Sequence, residues 1–234
     1  MIDTQRLIQK AAAYGIDAAH CAAALDVYAR ELAAYNEKVN LTAITAPEAV
    51  EDRHFIDSLL LAAQPQVRGS LVDVGTGAGF PGLVARLYNP ALSLTLMEPT
   101  GKRMAFLRQI CQILGLDDVQ FAQQRAEEAG RGAWREAFDA ATARGVTRLP
   151  ALAEYCLPLV KVGGWFIAMK GPSAGEEAAA AAPAVARLGG RYAGEKEFAL
   201  PDGSARVLLF YEKISHTPAQ FPRNGGKIAK NPLG

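Results

Sequence analysis

Leu71-Val72-Asp73-Val74-Gly75-Thr76-Gly77-Ala78-Gly79-Phe80-Pro81-Gly82 is the stretch on which the reading of the whole chain turns. A short apolar run carries a carboxylate, turns through three alternating glycines and continues into an apolar segment. That order predicts a buried strand, a tight turn and a helix. Glycine is the residue for a backbone that must bend sharply or let a ligand come close. In open α/β sheets the carboxyl end of such a strand is where ligands bind.

Downstream, short apolar runs alternate with amphipathic helical segments. Strands are expected at Leu71–Val74, Leu92–Met97, Val119–Ala122, Ala137–Thr142 and Gly164–Met169. Helices are expected at Pro81–Tyr88 and Lys102–Leu114. This alternation predicts a parallel sheet with helices on both faces. The end reads differently. Gly190–Ala199 and Ala205–Glu212 are strand-like, and Pro201-Asp202-Gly203-Ser204 between them is turn chemistry, so the sheet should close with an antiparallel hairpin. The Ala-rich run Glu176–Ala186 reads as a surface helix.

Upstream, residues 3–35 read as helical, with Leu25, Tyr28, Leu32 and Tyr35 recurring at three and four residues. A third helix is expected from Pro47, which suits a first turn, to about Ala63. Pro65 and Gly69 then mark a boundary. The expected organisation is an N-terminal helical segment (1–65) packed on the core, a ligand-binding α/β domain (66–213) and a basic tail (214–234).

Composition narrows the class. The 234 residues hold 25 basic and 24 acidic side chains, half of all residues are hydrophobic, and the formal net charge is +1. A nucleic-acid surface must therefore be local rather than global. No apolar run approaches the length of a membrane span, and no apolar signal core follows the first residues. The three cysteines, Cys21, Cys111 and Cys156, form no CxxC pair and suit reduced thiols in a cytoplasmic protein. The three histidines lack metal-ligand spacing.

The glycine loop admits more than one ligand. Gly77, Gly79 and Gly82 match the dinucleotide pattern, so a nicotinamide oxidoreductase is one reading. That pattern begins late, however, because Gly75 already follows the strand, and a terminal hairpin replaces the parallel second half such enzymes use. Glu98 ends the second strand, where an acid accepts hydrogen bonds from ribose hydroxyls. Carboxylates beside Gly75, including Asp73, suit a sulfonium and an amino group better than a pyrophosphate. The balance favours S-adenosylmethionine. Arg125-Ala126-Glu127-Glu128 follows the third strand and suits an adenine edge. Arg144 follows the fourth and should stand at the cleft mouth.

Together these residues resemble the bacterial small-subunit ribosomal RNA guanine-N7 methyltransferase family, also called glucose-inhibited division protein B. The resemblance runs from about Asn36 to Leu233. Its elements are Asn36-Glu37-Lys38-Val39-Asn40-Leu41-Thr42, Arg53-His54-Phe55-Ile56-Asp57-Ser58-Leu59, the glycine loop, Glu98 with Lys102-Arg103, Arg125-Ala126-Glu127, Arg144, Lys170-Gly171 and Phe221-Pro222-Arg223. Two departures are visible: Ala143-Arg144-Gly145 where the family has Ser-Arg-Ala, and Pro99-Thr100 after Glu98. The resemblance implies a Rossmann-like class I methyltransferase sheet and S-adenosylmethionine as cofactor. It implies N7 of one guanine in the decoding-region loop of 16S rRNA as acceptor, and cofactor contacts at Gly75, Phe80, Ala126, Glu127 and Arg144, beside the Asp73, Gly77 and Glu98 already noted.

Guanine N7 carries a lone pair and no proton, so in-line transfer needs no general base, and the cleft segments offer no clear candidate for one. Candidate RNA contacts are Arg53, His54, Asp57, Lys170, Arg223, Lys227 and Lys230, with 16S rRNA or a small-subunit assembly particle as partner and a monomer as the expected state. His54 and Asp57 share a helix face; they either shape the guanine pocket or form a buttressing hydrogen bond. Lys213 belongs to the same acid-free C-terminal run, Asn224-Gly225-Gly226 suggests a flexible tail, and Phe80 or Phe221 is a candidate to stack on a base. A non-catalytic rRNA-binding module is the reading from another class.

Overall fold

In the computed structural model, which describes residues 1–233, the glycine stretch sits at the centre of the architecture. Two helices, α1 (Thr4–Ala12) and α2 (Ala22–Asn36), come first. A rod follows, made of α3 (Pro47–Val50), a π-helical stretch (Glu51–Ile56) and α4 (Asp57–Ala62). The alternating part runs β1 (Ser70–Val74), α5 (Gly82–Tyr88), β2 (Ser93–Met97), α6 (Gly101–Ile113), β3 (Gln120–Ala122), α7 (Ala126–Ala129), β4 (Phe138–Arg144), α8 (Leu149–Cys156) and β5 (Val160–Lys170). It ends with α9 (Ala174–Arg187), β6 (Gly190–Ala199), β7 (Ala205–Lys213) and α10 (Gly225–Lys230).

The strands form one seven-stranded sheet in the order β3-β2-β1-β4-β5-β7-β6. The first five are mutually parallel, and β7 lies antiparallel to both β5 and β6. This is the sheet and closing hairpin expected from the sequence. In the hairpin turn Asp202 Oδ1 accepts from the Ser204 backbone N–H at 2.9 Å.

Each face of the sheet buries its own apolar layer. One layer joins α1, α2, α4, α5 and α6 to Leu71, Leu94, Leu96, Ala140 and Ile167. The other joins α8 and α9 to Val72, Val74, Ala141 and Phe166, and takes in Phe221 and Leu233 from the C-terminal segment. The N-terminal helices thus cover one face and the tail the other. Apolar area removed from water is the main favourable term on both sides.

The N-terminal helices also fix the glycine loop. Tyr28 of α2 is fully buried, and its hydroxyl donates to the Ala78 carbonyl at 2.5 Å. Gly79 sits under that hydroxyl with a φ of 104°, and a Cβ there would lie 2.5 Å from the Tyr28 oxygen. Only glycine meets both demands.

Candidate active site

The loop that leaves β1 is braced from below. Asp73 is fully buried; its Oδ2 accepts from the Thr76 hydroxyl at 2.6 Å and from the Gly82 backbone N–H at 2.8 Å. Burial pushes its carboxyl up to about 6, against those hydrogen bonds. Its other oxygen, Oδ1, is buried without a partner in the protein. Glu98, at the end of β2, is also buried. Its oxygens accept from the Gly77 N–H at 3.1 Å and the Thr100 N–H at 2.9 Å, so the carboxylate is locked against the loop, with Arg103 3.6 Å away.

Above these groups a cleft of about 670 Å³ opens at the carboxyl ends of β1 to β4. Val74, Gly75, Met97 and Pro99 form one wall; Gln124, Arg125, Ala126 and Glu127 form a second; Val146, Thr147 and Tyr155 close the third. Of the residues expected at a cofactor, Gly75, Ala126 and Glu127 line this cleft; Glu98 and Gly77 do not, though Glu98 falls between two lining residues, Met97 and Pro99, and holds the Gly77 N–H. Tyr155 and Val146 were not singled out from the sequence. The signal for Val146 was available: an apolar residue in the loop directly after β4, 39% exposed.

Asp73, Phe80 and Arg144 are not among the residues lining the cleft. Asp73 lies under the loop. The Phe80 ring is held between Tyr28 (centroids 5.0 Å, planes 10° apart) and His54 (4.3 Å, 8°). Both of its faces are covered, so a base cannot stack there. Arg144 turns to the same side, with its guanidinium carbon 5.3 Å from the Phe80 centroid.

A buried polar cluster forms there. Arg144 Nη1 donates to Asp57 Oδ2 at 2.7 Å and to the Arg53 carbonyl at 2.8 Å, and Nη2 donates to His54 Nδ1 at 3.1 Å. That contact assigns the imidazole proton to Nε2, 2.9 Å from the Thr42 hydroxyl. Thr42 is itself held by Asn36, whose Oδ1 accepts from the Leu41 and Thr42 N–H groups. Asp57 Oδ1 accepts from Arg206 Nε at 2.5 Å. Burial and, after it, the nearby Arg144 charge push His54 down to about 3, so the ring is neutral. His54 and Asp57 therefore do not bond each other, as the buttress reading required; both serve Arg144. Arg206 and Thr42 had no assigned role in the sequence reading. His54 lies in the π-helical stretch, a local irregularity frequent at functional sites.

A family model described as rRNA small subunit methyltransferase G matches residues 22–194. The chain belongs to this family. It is 47% identical over 203 residues to the ribosomal RNA small subunit methyltransferase G of Alkaliphilus metalliredigens, covering 85% of each chain. It is 46% identical over 208 residues to that of Symbiobacterium thermophilum, again covering 85% of each. Among solved structures, a variant of the 16S rRNA (adenine(1408)-N(1))-methyltransferase of Catenulisporales acidiphilia superposes with a TM-score of 0.54 at 16% identity, covering 72% of this chain and 93% of that one. At that identity the likeness speaks for the class I methyltransferase fold alone.

In this methyltransferase G family member the basic residues expected to meet RNA divide into two groups. Lys227 and Lys230 are exposed on α10, and Arg53, paired to Asp202 at 2.5 Å, keeps about half its side chain exposed. The others are held by acids and carbonyls of the protein, with Lys170 and Arg223 only partly exposed. Lys170 donates to the Thr147 carbonyl and pairs with Glu177, both at 2.7 Å, with its side chain 10% exposed. Arg223 forms a forked pair with the fully buried Glu154. Lys213 is fully buried, bonded to the Leu157 carbonyl and the Thr217 hydroxyl, and burial pushes it down to about 8. Phe221 is buried in the core and unavailable for stacking.

The tail is correspondingly ordered rather than a flexible arm. Asn224 caps α10 by accepting from the Lys227 N–H at 2.9 Å. Arg135 holds the approach to it, donating to the carbonyls of Thr217, Phe221 and Gly130. The three cysteines are free and buried, and burial raises each thiol, Cys21 to about 11 and Cys111 to about 12. Such thiols are inert. Among the described residues no His/Cys/Asp/Glu group could hold a metal ion, and no helix is long and apolar enough to cross a membrane.

Proposed function

We propose that the chain transfers a methyl group from S-adenosylmethionine to N7 of a guanine in the decoding-region loop of 16S rRNA, acting as a cytoplasmic monomer on the rRNA or a small-subunit assembly particle. The observation that carries this reading is Glu98, buried between the cleft-lining Met97 and Pro99 with both oxygens oriented by backbone N–H groups, in a member of the methyltransferase G family. Each carboxylate oxygen retains a lone pair, which suits the two ribose hydroxyls. The apolar faces of Met97, Pro99 and Tyr155 suit a purine ring, and the backbone of Gln124–Ala126 suits its polar edge. The unpartnered Asp73 Oδ1 leaves negative character beneath the loop, in keeping with a cationic ligand. The donor set therefore fits the cofactor.

When bound, S-adenosylmethionine supplies a methyl group already activated on a sulfonium. The remaining task of the protein is alignment and exclusion of water. Gly75 and the loop after β4 confine the donor end of the cleft, and Val146 and Thr147 present an apolar and a hydroxyl contact to the incoming base. Guanine N7 carries a lone pair and no proton, so a transfer onto it would ask no side chain to take a proton. The Arg144 cluster holds the other side of the glycine loop in place, and Phe80 acts through that loop. Lys227, Lys230 and Arg53 offer charge to phosphates.

Calorimetric titration with S-adenosylmethionine tests the first half: no heat at millimolar ligand removes the reading. Mapping N7-methylguanine in 16S rRNA from cells with and without this chain tests the second. An unchanged pattern would assign a different acceptor.

A further inference from the structure

The C-terminal helix touches the cofactor cleft at one point. Gly225, the first residue of α10, lies directly against the carboxylate of Glu127, and a Cβ at position 225 would collide with Glu127 Oε1. Glu127 is 6% exposed and lines the cleft. The helix is held at this point from two sides. Glu154 of α8 accepts from the Arg223 backbone N–H at 2.8 Å and from its guanidinium, and the same guanidinium donates to the Asn231 carbonyl at the far end of α10 at 3.0 Å. Tyr155, the next residue on α8, lines the cleft. The wall of the cleft and the seat of α10 are therefore built from the same two helices, α7 and α8.

We propose that Gly225 is a positioning residue for the cofactor: by having no side chain it lets α10 close over Glu127 and hold that carboxylate in the cleft, so the lysine-bearing helix and the cofactor site form one unit. This rests on the reading of the cleft as an S-adenosylmethionine site. Gly225 does not have a positive φ, so backbone conformation does not require glycine there. Alanine favours helix over glycine, and local propensity alone would therefore select against Gly225. Gly226, on the same turn, has a different environment: a Cβ there would make an ordinary contact 3.7 Å from Asn224 Oδ1.

The test compares Gly225→Ala with Gly226→Ala in the full chain, by calorimetric titration with S-adenosylmethionine and by thermal unfolding. Gly225→Ala should raise the cofactor Kd at least about tenfold and Gly226→Ala less than about twofold, a separation of at least about fivefold or about 1 kcal/mol, with the Tm of Gly226→Ala not lowered. Equal affinities in the two variants would overturn the proposal. Failure of the wild-type protein to bind would instead remove the underlying reading. Hydrogen exchange on the wild-type protein gives a second arm that needs no variant. Saturating S-adenosylmethionine should slow exchange across 225–231 as well as in the glycine loop; protection confined to 73–82 and 124–128 would overturn the proposal even if Gly225→Ala failed to fold.

Discussion

Arg144 at the end of β4 and Asp57 at the start of α4 meet in a 2.7 Å ion pair that ties the helical rod to the sheet beside the glycine loop. The fully buried Asp57 carboxylate also holds Arg206 of β7, 2.5 Å away. One anion thus pairs with two guanidinium groups drawn from the fourth and seventh strands. Removing it exposes two cations to each other in a place where water reaches neither well.

Asp57→Ala should accordingly cost about 3 kcal/mol of folding stability, the range for a buried pair broken on one side, with the figure held down because Arg144 and Arg206 keep 14% and 19% of their side chains exposed. Urea unfolding at pH 7 measures it. A loss below about 1 kcal/mol, the scale of an exposed pair, would show that the arginines find other partners. Methyl transfer should fall as well, since Arg144 and Phe80 form one side of the loop.

Tyr28→Phe isolates the other support of that loop. The substitution keeps the ring stacked on Phe80 and deletes only the bond to the Ala78 carbonyl. A lost buried hydrogen bond of this kind costs about 1 kcal/mol. If the loop order it maintains is what the cofactor needs, S-adenosylmethionine Kd should rise about fivefold, the equivalent of that energy. Unchanged affinity in a folded variant would restrict Tyr28 to a packing role.

His54 sets a pH dependence whose sign follows from its burial. The folded ring is held down at about 3, while the unfolded ring protonates near 6.5. Between those values the unfolded chain binds the extra proton, so stability falls as pH falls, by about 1.4 kcal/mol per unit below about pH 6.5. Asp73 works the other way: its carboxyl is raised to about 6, so its contribution grows as pH falls through 6. The readout is therefore the difference between wild type and His54→Gln, not the raw slope. Urea unfolding from pH 7 to 5 should show the wild type losing more stability than the variant. Parallel curves would mean that the ring is charged in the folded state.

The sheet was largely legible because local signals specify it. The parallel strands carry short apolar runs, and the hairpin that places the polar edge strand β6 is marked by Asp202 and Gly203 in the Pro201–Ser204 turn. The cleft wall at Ala126 and Glu127 was legible for the same reason, as a segment directly following a strand. What escaped was pairing at long range. Arg144 and His54 stand 90 positions apart and Asp57 and Arg206 149 apart, and no periodicity announces which acid an inward-pointing arginine will meet. Charge at the tail misled similarly. Arg223 and Lys213 read as solvent-facing basic residues because their partners, Glu154 and Glu136, lie on distant elements. Asn224-Gly225-Gly226 reads as flexible in isolation. It is ordered by an Asn cap and by docking on α7, which sequence-local reasoning does not contain.

The division among basic residues leads to the last expectation. Lys227 and Lys230 are exposed on α10, whereas Lys170 and Arg223 are committed to Glu177 and Glu154. Lys227→Ala with Lys230→Ala should weaken binding to 16S rRNA and reduce the slope of log K against log salt by about 0.7–0.9 for each phosphate that is no longer neutralised. Cofactor affinity should stay at the wild-type value, because neither side chain lines the cleft. Lys170→Ala should behave differently, lowering the Tm through the loss of its bond to Thr147 and its pair with Glu177, with the salt slope unchanged. Filter binding across a salt series separates the two. A reduced slope for Lys170→Ala would place that lysine on the RNA after all, and an unchanged slope for the double variant would move the phosphate contacts to the exposed Arg53.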